Sequence, residues 1–245
     1  MSRRVLAIAA HGSHLDANSG RPLHAHAAAL RAMGGFDEVR VGSWKEEPSL
    51  ARGLDGCEGD DVTVVPLFIS DGYFTRTVIR REMRLDGPMT RRNGGCIRYT
   101  APVGTHPALA AVLAQRAVEA GARAADGVVV LGHGTMREPE SQRAVYDQSE
   151  RLAATNQFAE VTTVFLDQEP SLLRVFELTA APRVVVVPLF IADGWHVGQT
   201  IPQEFGLGTA CARADGRSLR YAAAAGTHPG VATVIAELAA EAAAW

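Results

Sequence analysis

Short apolar runs alternate along the chain with stretches of helical spacing. The run 4–10, Arg-Val-Leu-Ala-Ile-Ala-Ala, is apolar on both parities, which predicts a strand buried on both faces. Residues 17–33 carry apolar positions at helical spacing, with Asp16 or Asn18 as the expected cap. Residues 38–43 alternate as a strand, Pro48 opens a short helix, 61–69 is the strongest strand signal of this half, and a polar helix is expected over 75–85. A strand at 97–101 precedes an Ala- and Leu-rich helix opened by Pro107, a residue suited to a first helical turn. The order then returns, with strands at 127–131, 161–166, 184–191 and 219–223. Strands that each lead into a helix predict an α/β protein with two doubly wound sheets, each four-stranded and parallel with helices on both faces.

The return is literal. His-Gly-Ser at His11 recurs as His-Gly-Thr at His133, and Glu47-Pro-Ser-Leu recurs at Glu169. Pro66-Leu-Phe-Ile-Ser-Asp-Gly recurs as Pro188-Leu-Phe-Ile-Ala-Asp-Gly, and Gly104-Thr-His-Pro recurs at Gly226. Every pair is offset by 122 positions, the mark of a duplication without net insertion between the anchors. The expected domains are therefore 1–122 and 123–245, joined around 121–126. The copies differ in one telling place: His196 of the second is matched by Phe74 of the first.

Composition adds exclusions. With 47% apolar and 21% charged residues the chain is ordinary globular material, and a formal charge of −3 argues against a general nucleic-acid or membrane-surface binder. No apolar run is long enough to span a bilayer, and the apolar segment after the N-terminal arginines is cut short by His11, so it reads as a strand rather than a signal peptide. The cysteines Cys57, Cys96 and Cys211 are odd in number and do not occupy matched positions, which fits a reducing cytoplasm.

In doubly wound sheets ligands bind at the carboxyl ends of strands, where strand order reverses. His133 follows the first strand of the second repeat, Glu169 its second and His196 its third. With a flavodoxin-like order, the first strand between the other two, these residues leave neighbouring strand ends about 4.8 Å apart. Two imidazoles and a carboxylate suit a borderline divalent ion and leave coordination positions open for water or substrate. Bland readings stand beside this one. The glycines around His133 fit a tight turn, and Glu169, like Glu47, fits a cap on the following helix as well as it fits a ligand. His106 and His228 share one structural role, capping the last helix or bonding across its loop, while His14, His24 and His26 are expected at the surface or in caps.

Taken in order and seen twice, His-Gly-Ser/Thr, Glu-Pro-Ser and Pro-Leu-Phe-Ile-Ala-Asp-Gly-Trp-His resemble the class II tetrapyrrole chelatases. Within that class the sequence is similar to the sirohydrochlorin cobaltochelatases and ferrochelatases of cobalamin and siroheme biosynthesis, in their duplicated form. The resemblance implies two tandem chelatase-like domains and insertion of Co²⁺ or Fe²⁺ into sirohydrochlorin, with no permanent cofactor. It assigns metal binding and proton transfer to His133 and His196, and adds Glu169 as a further ligand. Two departures matter: Phe74 breaks the histidine pair in the first repeat, and the arginine usual after His-Gly-Ser is His14 in one copy and Met136 in the other, with Arg137 one place later.

The first repeat then needs another role. Arg76, Arg80, Arg81, Arg84, Arg91 and Arg92 face only Glu82 and Asp86 in the same stretch, whereas residues 197–208 contain no arginine. Guanidinium forks suit a polycarboxylate ring, so Arg76, Arg80, Arg81 and Arg84, with His11 and Arg137, are candidate substrate contacts; a solvated basic face, with Arg91 and Arg92 in a loop, is the alternative. The expected partners are a sirohydrochlorin-type tetrapyrrole and a divalent ion, not nucleic acid or membrane, for a monomer or homodimer in the cytoplasm. The rival readings are a noncatalytic tetrapyrrole or metal carrier and a metallohydrolase with two histidines and a glutamate; no His-Glu-x-x-His helix supports the second.

Overall fold

The computed structural model describes residues 2–14, 20–134, 139–194, 201, 211–212 and 216–245. Its first sheet contains β1 (Arg4–Ala10), β2 (Glu38–Ser43), β3 (Asp61–Pro66), β4 (Met89–Arg92) and β5 (Gly95–Tyr99) in the order β2-β1-β3-β5-β4. Its second contains β6 (Gly127–Gly132), β7 (Glu160–Phe165), β8 (Arg183–Pro188), β9 (Cys211–Ala212) and β10 (Ser218–Tyr221) in the order β7-β6-β8-β10-β9. The first strand lies between the second and third in both, as the flavodoxin-like expectation requires.

The strand count differs from expectation. Among the described residues each sheet has five strands, because an antiparallel edge strand, β4 or β9, pairs with the last parallel one. Arg91 and Arg92 therefore stand in β4, not in a loop. A short polar edge ribbon carries no core periodicity, so its pattern reads as loop.

Alternation along the central strands divides the core. Val5, Ala7 and Ala9 of β1 join Leu50, Val78, Ile79 and Met83 on one face. The intervening Leu6 and Ile8 are equally buried, and α1 (Arg21–Met33) turns Leu23, Ala27 and Leu30 inward. In the second sheet Val129 and Leu131 of β6 pack with Leu172 and Val175, while Val128 and Val130 are buried on the other parity. α4 (Pro139–Ala154) packs against β6 and β7.

Helix boundaries also shift. α1 begins at Arg21 behind Gly20, with Pro22 in its first turn, and the expected caps Asp16 and Asn18 lie outside the described residues. His26 is only 2% exposed, against the surface expectation, because it falls three residues after Leu23 on the apolar face. The expected helix over 75–85 is a π-helical turn, Phe74–Val78, running into the short α2 (Ile79–Glu82). After Leu172–Arg174, a 3-10 turn, comes the short α5 (Val175–Leu178).

The compact units do not coincide with the repeats. One comprises residues 1–106 and 229–245, the other 107–228. Thus α3 (Leu109–Glu119), which ends the first repeat, packs on β8 and α4, and α6 (Gly230–Ala242), which ends the second, packs on β3 and α1. His106 and His228 hold this exchange from matched positions. His106 Nε2 lies 3.2 Å from Glu241 of α6, and His228 Nε2 lies 3.3 Å from Glu119 of α3. Each histidine thus bonds to the helix of the other repeat rather than capping its own.

Candidate metal-transfer site

His133 stands one residue beyond β6, where the flanking strands close on it. Leu189 N–H donates to Leu131 O at 2.8 Å on the β8 side, and Asp167 N–H donates to His133 O at 3.0 Å on the β7 side. Gly134 follows with φ +80°, a left-handed conformation that favours glycine, and a Cβ there would meet Gln168 Cγ at 2.6 Å. The tight turn is thus real, and the histidine stands at its start. The ring is 66% exposed; its Nδ1 lies 3.1 Å from Asp167 Oδ2 and 3.2 Å from Gly134 O. With Nδ1 committed to oxygen acceptors, the proton belongs there, and Nε2 is the nitrogen with a lone pair to offer.

Asp167 was missed by sequence reasoning. Its signal was available in the repeat, because the matched residue of the first copy is Lys45. Glu169 points elsewhere: its Oε2 accepts from Ser171 N–H at 3.0 Å and lies 3.5 Å from Arg174 Nη1. Glu47 accepts from Ser49 N–H at the same distance, 3.0 Å, so both glutamates cap the turn that follows them. His196 and Arg137 lie outside the described residues. Among the described residues no three His, Cys, Asp or Glu side chains gather as a metal site.

The corresponding end of β1 is built as an aromatic cluster. Phe74 meets His11 edge to face at 4.7 Å and packs on Trp44, Phe68 and Tyr73 at 6.4, 6.0 and 6.0 Å. His11 Nδ1 lies 2.8 Å from Gly12 O, again leaving Nε2, but the nearest ring offers it no second ligand. Beside this cluster several candidate arginines have protein partners. Arg76 Nε donates to Asp71 at 2.9 Å, Arg81 pairs with Glu82 at 2.8 Å, and Arg80 lies 5.8 Å from the centre of the Tyr99 ring. Arg84 is exposed, and Arg92 donates to the Met83 carbonyl at 3.3 Å. Burial first, and Asp71 second, push the Tyr99 phenol well above its usual range, so it stays a donor to Thr75 O at 2.7 Å.

The loop after the third strand is tied down in both units. Gly104 N–H donates to Phe68 O and Gly226 N–H to Phe190 O, each at 2.8 Å. A Cβ on either glycine would collide with the backbone of Ile69 or Ile191, so the Gly-Thr-His-Pro turn can close on this loop only with glycine. In the second unit this loop leads to Asp193 and, beyond the described residues, to His196.

Comparison with known structures places this architecture among the chelatase folds. A multi-domain protein of Deinococcus radiodurans, described as structurally similar to chelatases with two additional domains, superposes with TM-score 0.86 at 31% identity. The match covers 98% of this chain and 55% of that one, so the chain spans about half its length. The structure of CbiX, described as the terminal enzyme for biosynthesis of siroheme in denitrifying bacteria, superposes with TM-score 0.71 at 25% identity over 98% and 99% of the two chains. The sirohydrochlorin chelatase SirB of Bacillus subtilis subspecies spizizenii, in complex with cobalt, shares the fold at 17% identity and TM-score 0.72, over 99% of this chain and 96% of that one. In sequence, a probable sirohydrochlorin cobaltochelatase of Halobacterium salinarum is 40% identical over 267 aligned positions, covering 98% of this chain and 91% of that protein. The CbiX family model matches residues 5–120 and again 127–242. The chain belongs to the CbiX family.

Proposed function

We propose that this protein is a sirohydrochlorin chelatase that inserts Co²⁺ or Fe²⁺, with the ion delivered by the second repeat. The observation that carries the reading is the state of His133, which stands exposed at the switch point of the second sheet with Nδ1 held by Asp167 and Gly134. Its Nε2 can bind an incoming divalent ion and then accept a proton as a pyrrole nitrogen takes the metal. His196 is the second nitrogen ligand by its place in the repeat. Glu169 is the third; to reach the ion it must leave the turn that it caps, which suits an open, loosely held site from which metal has to depart. The ion is a substrate, and no resident cofactor is required.

In this reading the first repeat serves the ring. His11, Arg76, Arg80, Arg81 and Arg84 are its candidate contacts to the carboxylates, and Arg137 is the candidate in the second repeat. Phe74 and its aromatic neighbours give an apolar surface suited to the macrocycle. Among the described residues no helix is long and apolar enough to cross a membrane, and we assign the protein to the cytoplasm as monomer or homodimer. The test is a metal-insertion assay that follows sirohydrochlorin absorption with Co²⁺, Fe²⁺ and Ni²⁺ in turn. Multiple turnovers are expected; stoichiometric capture of ring or ion without released product would make the protein a carrier.

A further inference from the structure

The structure assigns Arg116, encoded in the first repeat, as a positioning residue for the loop that carries His196 in the second. This rests on the reading that the second repeat holds the metal. Asp193, the first residue of the Asp-Gly-Trp-His segment, accepts from Ala224 N–H at 2.6 Å through Oδ1 and lies 3.3 Å from Thr227 Oγ1 through Oδ2. Arg116 reaches the same two residues from α3: Nη2 donates to Thr227 Oγ1 at 2.6 Å and Nε to Ala224 O at 3.3 Å. Its Nη1 pairs with Glu119 at 2.8 Å, and Glu119 in turn meets His228. The Arg116 side chain is only 14% exposed, so these bonds are largely sheltered from water.

The first unit cannot build this connection, for reasons visible residue by residue. Asp71 matches Asp193, but the residue matching Ala224 is Pro102, which has no N–H to give. The residue matching Arg116 is Leu238, which is buried and apolar. Asp71 instead takes Thr75 Oγ1 at 2.8 Å and Arg76 Nε at 2.9 Å, and the residues matching these, Val197 and Gly198, offer Asp193 neither group. Thr105, matching Thr227, keeps the turn bond common to both copies, to Pro102 O at 2.9 Å as Thr227 bonds to Ala224 O at 2.8 Å, and so serves as the control position. The aspartate that each copy keeps is therefore tied to the helical turn after it in the unit with Phe74, and in the unit with His196 to Ala224 and Thr227, the two residues that Arg116 of the other repeat also holds. Holding a side chain three residues before a ligand restrains the stretch of chain that carries that ligand.

The test compares Arg116→Leu, Arg116→Lys, Thr227→Val and the control Thr105→Val in the full chain. It measures kcat and KM for cobalt insertion, and Co²⁺ binding without the ring from the ligand-field absorption of the ion. Arg116→Leu and Thr227→Val should each lower kcat about tenfold and weaken Co²⁺ binding, with the sirohydrochlorin KM unchanged. Their double variant should be no worse than the poorer single, because both cut one connection. Arg116→Lys should recover most of the loss, and Thr105→Val should match wild type. If Arg116→Leu fails to fold, Thr227→Val decides, since it leaves the Arg116 and Glu119 pair intact. Wild-type kcat and Co²⁺ absorption in folded Arg116→Leu or Thr227→Val overturn the inference, as does a Lys variant as poor as Leu. Failure of the wild type to insert any metal strikes the parent reading instead, and the Co²⁺ titration of the same variants still decides the role of Arg116.

Discussion

Asp167 Oδ2 lies 3.1 Å from Nδ1 of His133, and the matched position in the first repeat is Lys45. A carboxylate behind an imidazole fixes its tautomer and strengthens Nε2 as a ligand; a lysine cannot accept that bond. The duplicated chain has thus separated its two strand-end histidines chemically, one backed by an anion and the other faced by Phe74.

Removing the acid should show in the chemistry. Asp167→Ala should lower cobalt insertion about tenfold to a hundredfold, the range for a residue that orients a metal ligand, with Asp167→Asn intermediate because its amide oxygen still accepts from Nδ1. Lys45→Met should have little effect. Steady-state kinetics with circular dichroism checks both statements; full activity in Asp167→Ala would remove its role.

His133→Ala should reduce kcat by at least about a hundredfold while the protein stays folded, since an exposed strand-end ring contributes little to either core. His196→Phe, which copies the first repeat, should still bind the ring but fail to insert metal. His11→Ala should be milder. A greater loss from His11→Ala than from His133→Ala in single-turnover assays would reverse the assignment of the two repeats.

Neutralising Arg80, Arg81 and Arg84 together should raise the sirohydrochlorin KM and flatten its dependence on ionic strength, with kcat and Co²⁺ binding retained, because uniform binding is lost while the ion's ligands remain. Binding titrations at low and high salt measure this. Unchanged affinity at low salt would make the arginines a solvated surface.

A stability prediction comes from Arg3 and Asp60. Arg3 donates to the Asp60 carboxylate through its backbone N–H at 3.1 Å and Nε at 3.0 Å. The guanidinium hydrogen bond holds that carboxyl below its usual range, against a smaller upward push from burial. A depressed folded value stabilises above the unfolded one, about pH 4, and that contribution is lost as pH falls through the folded value. Arg3→Met should therefore melt lower than wild type at pH 7, and the gap should narrow below about pH 4. Thermal melts across that range provide the check.

Much of this molecule is legible in one dimension. The constant offset of 122 establishes the duplication, the apolar runs place all eight parallel strands, and the His196/Phe74 contrast separates the repeats. These features depend on local spacing and burial parity, which sequence records directly. The edge strands β4 and β9 escaped because strands at a sheet margin need no apolar face.

What the sequence could not determine is which partner each group finds. Leu109, Val112 and Leu113 of α3 and Val231, Val234 and Ile235 of α6 form matched apolar faces. Two near-identical sheets can each receive either helix, and only the packed structure shows the exchange that lets His106 meet Glu241 and His228 meet Glu119. Glu169 fits a ligand or a cap by its place in the sequence, and the turn at Ser171 places its carboxylate on a backbone N–H. Periodicity fixes which side of an element a residue occupies, but the choice among equivalent partners is a long-range packing energy that no window of sequence contains.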